Sequence, residues 1–66
     1  MQVIVNGTPQ PLAEGLTVAA LLERMSLAGK RVAVERNGEI VPKSLHPSVP
    51  LADGDRLEIV VAVGGG

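Results

Sequence analysis

The sequence predicts an α+β domain: an open mixed sheet of four to five strands with one helix packed across one face. Three observations predict it. Both ends of the chain, residues 1–5 and 57–63, follow the period-two pattern of strands and are rich in β-branched residues. Between them, Val18, Leu21, Leu22 and Met25 recur at helical spacing and make one apolar stripe. Asn-Gly occurs at Asn6-Gly7 and at Asn37-Gly38, and each is a hairpin signal because both turn residues tolerate positive φ. A single helix laid across an open sheet is a compact two-layer solution for such a chain.

In the first strand, Met1, Val3 and Val5 share one face and Gln2 and Ile4 the other. The return strand, residues 8–12, carries Pro9 and Pro11, which cannot donate to a ladder, so it belongs on a sheet edge. Glu14-Gly15 turns the chain, and Thr17 is placed to cap the helix with its hydroxyl. The helix is expected to end near Leu27 and Ala28, with Gly29 as its C-cap. Residues 31–36 form the third strand, with Val32 and Val34 inward. A short strand follows at residues 39–41 and stops at Pro42. Residues 43–50 read as a Pro-rich loop, with Val49 and Leu51 either holding a brief strand or pinning it to the core. Asp53-Gly54-Asp55 is a turn that launches the last strand. First and last strands, both central, would run parallel across the one long crossover.

The composition narrows the function. At 66 residues the chain is one domain, and its 45% hydrophobic content must supply the core because there is no Cys for a disulfide or a thiolate metal site. One His builds no zinc site alone. The absence of Phe, Tyr and Trp removes stacking platforms for single-stranded nucleic acid, and a formal charge of −1 gives no basic stripe. No apolar run approaches a membrane span and no secretory signal is visible, so a soluble cytoplasmic protein, monomeric when free, is expected. His46 lies between Ser44 and Ser48, but loop neighbours seldom reach the geometry of a nucleophile and its base, so a surface His is expected. Asp53 and Asp55 lack the spacing of a calcium loop and fit turn chemistry better. No metal site and no catalytic set follow.

What remains is the end of the chain. Gly64, Gly65 and Gly66 cannot pack a core, and they read as a flexible tail on a domain of residues 1–63. A tail without Cβ atoms enters a narrow site on another protein, with the Gly66 carboxylate as its one reactive group. Attack of that carboxylate on the α-phosphate of ATP would give an acyl-adenylate, open to a sulfur, nitrogen or oxygen nucleophile. The ATP site, Mg²⁺ and general base for that step would belong to a partner.

The element order and the Gly65-Gly66 end resemble the ubiquitin-like β-grasp family. The segments Thr17-Val18-Ala19-Ala20-Leu21-Leu22, Asn37-Gly38-Glu39-Ile40-Val41-Pro42-Lys43 and Asp53-Gly54-Asp55 are similar to the sulfur carriers of thiamine biosynthesis, the ThiS type, over essentially the whole chain. That resemblance implies a carrier that is not an enzyme. A ubiquitin-activating-like adenylyltransferase would adenylate Gly66 with Mg-ATP, and a cysteine desulfurase route would supply sulfur to make a thiocarboxylate. Thiazole synthase would then take the sulfur for thiazole formation. Gly65 would be the required neighbour of Gly66, and Gly64 departs mildly from the family's expected small residue. The fold and tail also admit the small subunit of molybdopterin synthase, a ubiquitin-like modifier of lysines, and an interaction module with an inert tail. The period-two pattern further places Ile4, Val60 and Ala62 on the sheet face away from the helix, where a partner-docking patch is expected if the two strands are neighbours.

Overall fold

The computed structural model describes residues 1–62. Its elements are β1 (Gln2–Val5), β2 (Thr8–Pro11), α1 (Val18–Arg24), β3 (Val32–Arg36), β4 (Glu39–Ile40), a 3₁₀ turn (Lys43–Leu45) and β5 (Arg56–Val61). They form a five-stranded sheet in the order β2-β1-β5-β3-β4, with β1 and β5 parallel and the other pairs antiparallel. The two strands nearest the chain ends thus lie side by side and parallel in the sheet's interior, with β5 at its centre. Residues 63–66 lie outside the described residues, and with them the expected glycine tail and the last residue of the expected final strand.

The core forms where the helical stripe meets the alternating strands. Val18, Leu21 and Leu22 of α1 pack with Val3, Val5, Val34, Leu57 and Ile59, all buried, and Leu12, Val41 and Leu51 close its margins. Burial of each such aliphatic side chain contributes roughly 1.5–3 kcal/mol, which is how a chain without disulfides stays folded. Met1 and Met25 are partly buried against the same cluster. β2 takes the edge, as its prolines require. Leu12 and Met1 exchange both backbone bonds, at 2.8 and 2.9 Å. Alternation along the ladder then places Pro11 and Pro9, opposite Gln2 and Ile4, at positions where no N–H is called for.

The helix is shorter than its apolar stripe. It ends at Arg24 with Met25 as C-cap, and Ser26, not Gly29, takes the left-handed conformation that stops it, at φ 60°. The Leu27 N–H donates to the Leu22 carbonyl at 2.8 Å and the Ser26 N–H to the Glu23 carbonyl at 3.0 Å. These are the two bonds of a Schellman ending, and they stabilise a non-glycine residue at positive φ by satisfying carbonyls the helix leaves open. Gly29, at φ 82°, serves the next turn instead.

His46 is buried, not on the surface as the sequence leads one to expect. The 3₁₀ turn folds residues 43–50 under the start of the helix. Thr17 caps α1 through its hydroxyl, which accepts from the Ala20 N–H at 3.2 Å. The two preceding orphan N–H groups are satisfied by the loop: Val18 donates to the Val49 carbonyl at 3.0 Å and Ala19 to the His46 carbonyl at 2.9 Å. The His46 Nε2 lies 3.1 Å from the Val41 carbonyl oxygen. The imidazole is a satisfied part of the core, and the loop is a helix cap. Leu51 is pinned as expected, its N–H donating to the Leu16 carbonyl at 2.8 Å.

Candidate docking face and tail exit

β5 leads into the glycine end, so what holds β5 determines where that end starts. On one side, the Ile4 N–H donates to the Asp55 carbonyl at 2.8 Å and the Asn6 N–H to the Leu57 carbonyl at 2.9 Å. There β1 turns away. The Asn6 side chain continues the ladder: its Oδ1 accepts from the Ile59 N–H at 2.8 Å and its Nδ2 donates to the Ile59 carbonyl at 3.1 Å. On the other side β3 pairs with β5 from Arg36↔Leu57 to Val32↔Val61. Asn37 extends that ladder backwards. Its N–H donates to the Arg56 carbonyl at 2.8 Å, and its Oδ1 accepts from the Arg56 N–H at 3.0 Å. Finally the Ala62 N–H donates to the Arg31 carbonyl at 2.9 Å.

The two Asn-Gly turns therefore do more than reverse the chain. Each asparagine sits at positive φ, 49° for Asn6 and 52° for Asn37, and each points its amide at β5. Glycine would make the same turns without these bonds. In the sequence both pairs register as turn signals alone. The available clue is that an amide at the first turn position can form bonds that the equally tolerated glycine cannot.

Asp55 is the charged anchor of the same strand. Its carboxylate accepts from the Ala52 N–H at 2.8 Å, from Arg36 Nε at 2.7 Å and from Asn37 Nδ2 at 3.0 Å. Burial pushes its pKa up, but the Ala52 N–H, the Arg36 guanidinium and the Asn37 amide outweigh that and hold it below the ordinary aspartate value. Asp53 closes the turn from outside, accepting from the Gln2 N–H at 2.7 Å. Only the Ala52 bond is local to the turn; the others tie Asp53 to β1 and Asp55 to Arg36 and Asn37.

Val60, 62% exposed, lies opposite Ala33 on the face away from the helix, and exposed Ala62 follows on the same face. Ile4 does not join them. Its register partner on β5 is Arg56, four residues before Val60, so roughly 13 Å of strand separates the two apolar side chains. Glu58, with Glu35 opposite it on β3, lies between them along β5. The sequence shows which face each residue takes but not how far the parallel strands are staggered. Ile4 is half-buried beside Gly7, Arg56, Leu57 and Glu58. The predicted patch therefore reduces to Val60 and Ala62, with Ala33 added.

Among the described residues, no group of three or more His, Cys, Asp and Glu is placed to hold a metal. No described helix is long and apolar enough to cross a membrane. Ser44 and Ser48 are exposed while the His46 ring is engaged with backbone, so these three form no catalytic constellation. Gly64, Gly65 and Gly66 lie outside the described residues.

Residues 3–66 match the ThiS family. A thiazole synthase from Paramagnetospirillum magneticum is 47% identical over 66 residues, covering 100% of this chain and 20% of that protein. A sulfur carrier protein ThiS from Thermus thermophilus is 44% identical over 62 residues, covering 94% of this chain and 95% of that one. The chain spans about a fifth of the length of the thiazole synthases it matches and nearly all of the Thermus carrier. The crystal structure of a thiamine biosynthesis protein, ThiS, from Geobacter metallireducens superposes with a TM-score of 0.84 at 36% identity, with 100% of both chains covered. The five-stranded mixed sheet crossed by one helix is thus the β-grasp arrangement of those carriers.

Proposed function

The chain belongs to the ThiS family, and from that premise we propose that it is the sulfur carrier for thiazole formation in thiamine biosynthesis, with Gly66 as the residue that carries sulfur. The observation that carries this reading is the family match itself, which runs to Gly66 and so includes all three tail glycines. The anchoring of β5 supports it. A strand bonded to β1 and Asn6 on one side as far as Ile59, and to β3 and Arg31 on the other as far as Ala62, gives the glycine end a fixed point of departure only a few residues from its carboxylate.

The chemistry follows from that carboxylate. Its oxygen attacks the α-phosphorus of Mg-ATP on an adenylyltransferase, and pyrophosphate leaves. Hydrosulfide, released by a thiol reductant from the persulfide of a cysteine desulfurase route, then adds to the acyl carbon of the adenylate and expels AMP, leaving a thiocarboxylate. The metal, the ATP site and the proton acceptors are the partner's. This chain supplies the acyl group, a tail that Gly64 and Gly65 keep free of Cβ atoms, and a docking face with Val60 and Ala62 at its centre. It acts as a co-substrate, not as a catalyst. Relatives of which this sequence matches a fifth are thiazole synthases, which favours the thiazole pathway over molybdopterin.

The test is intact-mass analysis after incubation with the adenylyltransferase, Mg-ATP and a sulfide source. One oxygen of Gly66 should be replaced by one sulfur. An unchanged mass, with an adenylyltransferase active on another carrier, overturns the reading.

A further inference from the structure

The docking face carries charges of both signs in an order that its fold does not require. Arg31, Val32, Ala33, Lys43, Val60 and Ala62 line a shallow cavity of about 390 Å³ where β5 ends. Lys43 also lines a neighbouring cavity of about 210 Å³ together with Lys30. Three of the six lysines and arginines in the sequence therefore gather at this end, and no carboxylate of the described residues lines either cavity. On the other side of Val60 the order reverses. Glu35 and Glu58 are direct cross-strand partners, an arrangement that destabilises a sheet pair. The ion pairs among the described residues are Met1 with Glu14 and Arg36 with Asp55, so neither charge group is neutralised there. Arg56 stands beyond the acidic pair, opposite Ile4.

Along the face, then, lie an acidic pair, an apolar centre and a basic cluster beside the tail's point of departure. We propose that this strip orients the carrier on thiazole synthase, whose complementary surface presents carboxylates to Arg31 and Lys43 at the mouth of its tail channel and a basic group to Glu35 and Glu58. The proposal rests on the carrier reading above and adds to it the orienting charges. Thiazole synthase is the occupant because relatives bearing that name contain a segment matching this whole chain. The physical gain is in encounter. Complementary potentials raise association rates and penalise the reversed orientation, which would lead the tail away from the channel. They also make a use of the Glu35–Glu58 repulsion, which a basic group on the partner relieves.

The experiment measures association and dissociation of the full chain with purified thiazole synthase at low and high salt. Arg31→Glu with Lys43→Glu should slow association about tenfold or more at low salt and flatten its salt dependence. Glu35→Gln with Glu58→Gln should also slow association, while raising or preserving the melting temperature because the neutral pair removes the cross-strand repulsion of the parent. Unchanged rates for the first pair, or faster association for the second, overturn the proposal while leaving the carrier reading intact. If the parent chain does not bind thiazole synthase, both fall. A slowed first pair that binds ATP-loaded adenylyltransferase as weakly as it binds thiazole synthase places the cations at a surface common to both partners and still supports the orientation.

Discussion

Asn6 offers the sharpest test of how the tail-bearing strand is held. Asn6→Asp keeps the size, the tolerance of positive φ and the acceptor for the Ile59 N–H. It replaces the Nδ2 donor, now 3.1 Å from the Ile59 carbonyl oxygen, with a second carboxylate oxygen. One hydrogen bond worth about 1 kcal/mol is lost, and two acceptors are left facing each other beside a buried residue. The remaining bond to a charged acceptor returns part of that. The net cost at neutral pH is about 2 kcal/mol, a fall of roughly 8–16 °C in melting temperature for a domain of this size. Protonation restores the donor. The new carboxyl should have a folded pKa above its unfolded value. Its contribution is then fully present below the ordinary aspartate range and is lost as pH rises through the folded pKa. The assay is a far-UV circular dichroism melt of parent and variant at matched pH, since the chain has no aromatic residue to report otherwise. Hydrogen exchange at the Ile59 amide localises the effect. A variant that melts with the parent at neutral pH, or an equal deficit at acid and neutral pH, refutes the role assigned to this amide.

The remaining predictions concern the other anchor and the two functional surfaces. Asp55→Asn should cost about 2 kcal/mol at neutral pH, discounted because Arg36 is partly exposed. Because the Asp55 pKa is lowered, its contribution is present above the ordinary aspartate range and is lost as pH falls through the folded value, so parent and variant should converge in acid denaturant titrations. Divergence toward acid would contradict this. Val60→Asp, at an exposed position, should change stability by less than about 1 kcal/mol and weaken binding to both the adenylyltransferase and thiazole synthase. Unfolding, or unaltered affinity for both as read by calorimetry, counts against the docking face. Gly65→Val should abolish thiocarboxylate formation in the intact-mass assay without changing the circular dichroism spectrum, because a branched side chain clashes in a channel shaped for glycine. Adenylation at the parent's rate removes the narrow-channel premise.

The Asn-Gly turns, the two alternating end segments, the Thr17 cap and the edge placement of the Pro9–Pro11 strand were legible because each is a local property. Period two assigns a side chain to a face, a missing N–H excludes a central strand, and a cap needs only the next three residues. The expectation for Gly64–Gly66 rests on the same kind of local reading, since it follows from lacking side chains, and these glycines lie outside the described residues. Four features escaped local reading. The helix stops at Ser26 because two backbone bonds outweigh its propensity, and Gly29 lies too late to form them. His46 is buried because its carbonyl meets an orphan N–H 27 residues earlier in the chain, at Ala19. Asn6 anchors a strand 53 residues away. Ile4 and Val60 share a face, as alternation dictates, yet stand apart because the stagger of two parallel strands is set by which carbonyls the Ile4 and Asn6 N–H groups meet. Periodicity carries the direction in which a side chain points. Only the packed chain decides how far along its neighbour each strand slides, because that choice is made by hydrogen bonds and core contacts between residues distant in sequence.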